Sequence, residues 1–282
     1  MIRLCAFADE SSPTLEGQID ALKRNNISLI ELRTINDKNV FDLTKKEAKK
    51  ISKTLAKNGI KVWSLGSPVG KIDIDTDFSE YTKKFIRLLK NAKIFGTDKI
   101  RMFSFFNAKN KPETVYEKLS ILVKIASEHG VSLYHENEKG IFGDTVENVI
   151  KLLDNVKGLK SVYDPANFIQ CGEDSLYSLK ALHSKSGYFH IKDVIKETGE
   201  LVPAGEGDGN IAKLINDIKG DRVLTLEPHL KVFNAFSKID DTELKNKYVF
   251  GSNEQAFDFA VNSLKKLLTE NGYKEEKGVF AK

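Results

Sequence analysis

The feature that most constrains this chain is a repeat of strand-length apolar runs, each followed by a segment with helical spacing. The runs begin near Ile2 (IRLCAF), Ser28 (SLIELR), Ile60 (IKVWSL), Lys99 (KIRMFSF), Val131 (VSLYHE), Leu159 (LKSVYD), Gly187 (GYFHIKD) and Arg222 (RVLTLEPH). Between them apolar residues recur every three to four positions, as in Leu15, Ile19 and Leu22, or Tyr81, Phe85, Leu88 and Leu89. Strict alternation of strands and helices implies a parallel sheet, and eight such units close a barrel. An open doubly wound sheet competes, but its glycine-rich phosphate turn is missing, since "FADESS" follows the first strand. The expectation is an α/β fold, a single (β/α)8 TIM barrel spanning residues 1–282 without a domain boundary. Helix punctuation agrees with it. Ser12-Pro13 is expected to open the first helix, Thr44 and Glu47 form a capping box, and Gly59, Gly130 and Gly220 stand where helices stop. Residues 230–248 read as a long loop over the strand tops, and the tail YKEEKGVFAK reads as peripheral.

Composition narrows the partners. The 44 basic and 40 acidic residues nearly balance, and no Lys/Arg stripe is interleaved with aromatics, so no nucleic-acid partner is expected. Lysines 45, 46, 49, 50, 53 and 57 fall on one predicted helix and read as its solvated face. Cys5 and Cys171 are too few and too far apart for a disulfide framework or a thiolate metal site. No leader pattern opens the sequence and no apolar run approaches the ~20 residues that span a bilayer, so no membrane association and a cytoplasmic location are expected.

In barrels of this kind the chemistry collects where strands end. The last four runs end in Glu136, Asp164, His190 and Glu227, spaced by 28, 26 and 37 residues. Strand alternation puts Tyr134 with Glu136, Val162 with Asp164, Tyr188 with His190 and Thr225 with Glu227 on one face, so all four polar groups can point inward together. Taken singly, a carboxylate at a strand end ordinarily anchors a loop, and a histidine in an apolar strand is ordinarily a satisfied core group. The shared register on adjacent strands separates these four from that background. Three carboxylates and an imidazole at one point repel one another unless a cation joins them. Mostly oxygen ligands with one nitrogen suit Mn²⁺, Mg²⁺ or Co²⁺, with Zn²⁺ admissible.

The stretches "HENEKG", "VYDPANF", "FHIKD", "PAGEGD" and "LEPH" resemble the xylose isomerase-like superfamily of sugar phosphate isomerases and epimerases, in order along nearly the whole chain. That group includes ketose 3-epimerases, hydroxypyruvate isomerase and inosose dehydratase. The resemblance implies a metal-dependent isomerase or epimerase of a small sugar or sugar phosphate, working by proton transfer beside a carbonyl through an enediolate. It implies one divalent ion held by Glu136, Asp164, His190 and Glu227, with Glu136 and Glu227 also acting as base and acid. Asp193 would support the ligands from behind.

Further substrate contacts are expected from Asn167, Lys192, Glu206, Arg101 and Trp63, with Arg33 beside them. Asn167 stands where ketose 3-epimerases usually place a substrate-binding histidine, a departure from the simple ketohexose pattern. Lys192 shares the parity of His190 and is as readily a rim lysine as a ligand for hydroxyl, carboxylate or phosphate. Arg33, Trp63 and Arg101 are placed near the ends of strands two to four, and Glu206 on a glycine-rich loop. His135, His129 and His183 read as structural, helix-capping and surface groups. An inosose dehydratase-like lyase needs the same metal and acid–base logic. A silent sugar-binding barrel would have lost a ligand, and all four are present. The endonuclease IV type, with three zinc ions, needs more histidines than the five here. Aromatics in "KVFNAF" (231–236) are expected to cover substrate or to meet a second subunit in a homodimer.

Overall fold

A computed structural model of the protein describes residues 1–233 and 244–282. Eight parallel strands form the barrel: β1 (Ile2–Ala6), β2 (Leu29–Leu32), β3 (Lys61–Gly66), β4 (Lys99–Met102), β5 (Ser132–Glu136), β6 (Lys160–Tyr163), β7 (Ser186–Ile191) and β8 (Arg222–Leu226). Each begins within one residue of its predicted run. Every strand pairs with its sequence neighbour, and β8 returns to β1 from Ile2↔Arg222 to Ala6↔Leu226, which closes the sheet. The fold is the expected (β/α)8 barrel.

The outer ring comprises α1 (Leu15–Arg24), α2 (Lys45–Lys57), α3 (Phe78–Phe95), α4 (Pro112–Glu128), α5 (Val146–Asn155), α6 (Pro165–Gln170), α7 (Ser175–Leu182), α8 (Ile211–Asn216) and α9 (Asn253–Glu270). Helix α2 shows how the sequence dictates this layer. Ala48, Ile51 and Leu55 turn inward, while its lysines stay in water. Its N-terminus is a reciprocal capping box, with Glu47 N donating to Thr44 Oγ1 and Thr44 N to Glu47 Oε2. Helix α1 starts two residues later than expected, because the Thr14 hydroxyl, not Ser12, accepts from Gly17 N at 3.1 Å.

Inside the barrel the lower layer is apolar and aromatic. Cys5, Leu29, Tyr134, Val162, Tyr188 and Val223 pack there with Trp63 against them. Tyr188 meets Tyr134 and Trp63 edge-on, at centroid distances of 5.4 and 6.1 Å. Burying such rings stabilises by about 1.5–3 kcal/mol each, so this layer is a solid floor under the strand tops.

The tail is not peripheral, which corrects the sequence expectation. It folds into a hairpin, β9 (Lys274–Glu276) and β10 (Val279–Ala281), whose second strand runs antiparallel to β1 with Ile2 opposite Phe280. Phe280 is fully buried, so hydrophobic burial holds the hairpin on the barrel. Among the described residues no helix is long and apolar enough to cross a membrane. Of the expected 230–248 loop, residues 234–243, including Phe236, lie outside the described residues.

Candidate metal centre and active site

Four strand ends bring Glu136, Asp164, His190 and Glu227 together. Alternation works as the sequence suggests, since Tyr134, Val162 and Tyr188 in the floor lie one inward position below Glu136, Asp164 and His190. The ligand atoms of the four all lie within 4.8 Å of one another, and all four residues are buried. Local sequence fixes each one. Asp164 caps α6, its Oδ1 accepting from Asn167 N at 3.0 Å, and Pro165 needs no partner in that first turn. The cap leaves Oδ2 to face the cluster. Glu136 lies with Oε2 3.1 Å from Arg101 Nε and Oε1 3.4 Å from Asn167 Nδ2.

His190 is set between carboxylates. Its Nδ1 lies 2.9 Å from Glu136 Oε1 and 3.1 Å from Glu227 Oε2, and its Nε2 lies 3.2 Å from Glu31 Oε2. Burial alone would hold the imidazole neutral, but Glu136 and Glu31 raise its pKa well above the ordinary value. Lys192 Nζ stands 2.9 Å from Asp164 Oδ2 and 4.0 Å from Glu227 Oε2. Burial pushes Asp164 up to about 7 against the pull of Lys192. Burial also acts to raise Glu227, but Lys192 and His190 outweigh it and bring its pKa well below the usual carboxylate range. Asp164 Oδ2 and Glu227 Oε2 accept no well-aligned hydrogen bond despite these charged neighbours. Buried, crowded and under-bonded carboxylate oxygens beside an imidazole fit a divalent cation. Glu31 is then placed to orient His190 through Nε2 while Nδ1 faces the ligand set.

The Glu227 side carries a second network. The Arg33 guanidinium donates to Asp9 Oδ2 and Oδ1 at 2.9 Å each, to Glu227 Oε1 at 2.8 Å and to Glu10 Oε1 at 3.4 Å. Glu10 Oε2 accepts from His229 N at 2.8 Å, and burial pushes this carboxyl up to about 8. His229 takes a left-handed backbone, φ 48°, an unusual conformation for a non-glycine residue, and burial lowers its imidazole to about 4.

A cavity of about 240 Å³ opens over the cluster, and Arg101, Asn167 and Lys192 line it with Glu136, Glu227 and His229. Lys71, Lys139 and Lys245 line the same space. Three other predicted contacts lie elsewhere. Trp63 is only the third residue of β3 and packs in the floor, with Lys99 Nζ 4.6 Å from its ring. At the upper end of β3 stands Gly66, where an added Cβ would lie 2.4 Å from the Phe7 ring. Glu206 does not line the cavity; it is exposed and accepts from the Tyr248 hydroxyl. Asp193 is a loop anchor rather than a support for the ligands. Its carboxylate accepts the N–H groups of Val194, Gly205, Gly207 and Gly209 at 2.8–3.1 Å. Glycine is required at 207 because a Cβ there would lie 2.4 Å from Asp193 Oδ1.

His135 faces away from the cluster and bonds Ser104 Oγ at 2.9 Å, and His129 caps α4, both as expected. His183 is half-buried against Leu214 O rather than a surface group. Sequence reasoning missed Glu31, Asp9, Glu10 and Asn137. Glu31 had a signal, because it lies in β2 two residues before Arg33, which directly follows the strand, and shares its inward parity. Asp9 and Glu10 sit in a 3₁₀ turn after β1, where no periodicity points. Asn137 clasps the main chain of Asp164 on both sides, its Nδ2 donating to the carbonyl and its Oδ1 accepting from N.

Known proteins share this fold. Residues 19–243 match the family model described as xylose isomerase-like TIM barrel. An inosose dehydratase of Clostridium perfringens is 28% identical over 126 residues, covering 43% of this chain and 42% of that protein. An inosose dehydratase 2 of Bacillus cereus is 27% identical over 145 residues, 47% of each. These matches span about half the length of the curated relatives or less. In structure, D-psicose 3-epimerase crystallised in the presence of D-fructose superposes with TM-score 0.74 at 15% identity, over 96% of this chain and 99% of that one. The IOLI protein, solved with a bound zinc atom, gives TM-score 0.73 at 17% identity, over 95% and 99%. The chain belongs to the xylose isomerase-like TIM barrel family.

Proposed function

We propose that this chain is a divalent-metal-dependent isomerase or epimerase of a small sugar or sugar phosphate, transferring a proton on carbon beside a carbonyl. The observation that carries the reading is the pair Glu136 and Glu227, two buried carboxylates that enter one cluster from β5 and from the end of β8. A divalent ion held by Glu136, Asp164, His190 and Glu227 would supply Lewis-acid stabilisation of charge developing on substrate oxygen. The chain's own residues supply the rest. One glutamate takes the proton and the other returns it, a role that needs carboxylates on two sides of the substrate. Arg101 and Arg33 hold these two side chains. Lys192 and Asn167, both in the cavity lining, can donate to substrate hydroxyls. Five cationic side chains against three carboxylates in that lining favour a substrate with a phosphate or carboxylate.

A second reading, dehydration of an inosose, is supported by the curated relatives that share part of the sequence. It begins with the same proton abstraction and differs in expelling a hydroxyl. One experiment separates these readings. The full chain, loaded with Mn²⁺, is incubated in D₂O with ketoses, ketose phosphates and inososes, and products are followed by mass spectrometry. Deuterium gain without loss of water supports isomerisation or epimerisation, and loss of water supports the dehydratase. No exchange with any of them, despite bound metal, refutes both and leaves a silent sugar-binding barrel.

A further inference from the structure

We propose that Arg33 is a built-in cation that fixes Glu227 and fills a second acidic cluster, so that the chain takes one exchangeable divalent ion rather than two. The inference rests on the metal reading above and concerns the side of the site which that reading leaves unassigned. Glu10, Glu227 and His229 bring ligand atoms within 4.8 Å of one another, all buried, as closely as the first group does. Convergence alone would carry nothing, because acidic groups gather in many proteins without an ion. Here a cation is already in place. Arg33 is 2% exposed and spreads its charge over Asp9, Glu227 and Glu10 through the contacts given above. Its central carbon lies 4.2 Å from the Phe7 ring centroid and 5.0 Å from that of Phe233, so aromatic faces hold the guanidinium in position.

The consequence for Glu227 is a division of labour between its oxygens. Oε1 is committed to Arg33 at 2.8 Å, while Oε2 faces His190 Nδ1 at 3.1 Å and the first cluster. Arg33 is therefore a positioning residue, acting through Glu227 and not on substrate. A rigid fork with several donors suits this task, whereas an ammonium on a flexible stem does not.

Metal stoichiometry tests the proposal without reference to turnover. The full chain is equilibrated with Mn²⁺, analysed for bound metal and titrated by calorimetry, with circular dichroism to report folding. Wild type is expected to hold one ion per chain. Arg33→Ala leaves Asp9, Glu10 and Glu227 without their counter-ion and is expected to hold two, returning to one when His229→Ala is added. Arg33→Lys keeps the charge but loses the fork, and is expected to hold one ion with affinity weakened on the order of tenfold. A folded Arg33→Ala chain that holds one ion at wild-type affinity overturns the proposal. Should that variant not fold, wild-type affinity in Arg33→Lys overturns it instead, as does a second ion in the wild-type chain. A wild-type chain that holds no ion removes the metal reading and this inference together, and is thereby distinguishable from failure of the inference alone.

Discussion

Glu136 and Glu227 both face inward at strand ends, and each leans on a buried arginine, Arg101 at 3.1 Å and Arg33 at 2.8 Å. Beyond that the two flanks part. Arg101 has one carboxylate partner among the described residues, and otherwise donates to the Ser67 carbonyl at 3.1 Å. Apart from His190, which both glutamates share, the Glu136 flank is completed by a neutral amide, Asn167, itself bonded to the Asn137 carbonyl. Arg33 instead serves three carboxylates. One task, holding a buried carboxylate of the cluster still, is met by an ion pair with dipoles on one side and by a shared cation on the other. Buried charge is costly when a partner is lost, so the flanks should respond differently to the same substitution.

Neutralising either glutamate is the largest expected effect. Glu136→Gln and Glu227→Gln should each slow deuterium exchange by about 10²–10⁴-fold, the usual contribution of a positioned acid or base. Their effects on the fold should differ. Glu136→Gln leaves Arg101 buried without a carboxylate, a loss of the kind that costs about 3–5 kcal/mol. Glu227→Gln leaves Arg33 with Asp9 and Glu10 and should cost clearly less, as read by denaturant unfolding of the metal-free chain. Equal losses would show that the flanks are energetically alike. Stripping the ion comes next. At an ion concentration one hundred times its Kd the loaded protein should be about 2.7 kcal/mol more stable than the chelator-treated one. No thermal shift on adding Mn²⁺ would count against the centre itself.

The comparison also shows what a sequence can and cannot carry. The strands were legible because eight apolar runs recur in phase, and the four residues of the cluster because alternation gives each the parity of a floor residue such as Tyr134 or Tyr188. Trp63 was misplaced because parity says which face a side chain takes but not how high along the strand it sits. Three further residues carry β3 up to Gly66. The Glu136 flank was largely visible, Arg101 and Asn167 both being near strand ends. The Glu227 flank was not, since Asp9 and Glu10 come from a turn after β1, 218 and 217 positions away, and only barrel closure brings β1 to β8. The hairpin at the tail was misread for a related reason. Its first strand is charged and exposed, and its second is an apolar stretch of only three residues in which Phe280 alone is buried, too short to read as a strand run.

Smaller effects sharpen the contrast. Glu31 touches His190 from behind and accepts from the Tyr188 and Thr225 hydroxyls at 2.7 and 3.1 Å. Glu31→Gln should weaken ion affinity by about 10–100-fold, the range for partners that orient a ligating histidine, and titration calorimetry would read it. An unchanged affinity would mean that packing alone aligns the ring.

Asn167→Ala should give the smallest change. The cap on Asp164 comes from the Asn167 main chain and survives the substitution, so the ligand set stays oriented. What is lost is the side-chain amide, which reaches Glu136 Oε1 at 3.4 Å and the Asn137 carbonyl at 2.9 Å. A neutral hydrogen bond contributes about 0.5–1.5 kcal/mol, and the long Glu136 contact belongs at the lower end. Exchange should therefore slow about threefold with ion affinity unchanged. A tenfold loss of ion affinity would show instead that the neutral amide of the Glu136 flank holds its carboxylate as firmly as the shared guanidinium holds Glu227.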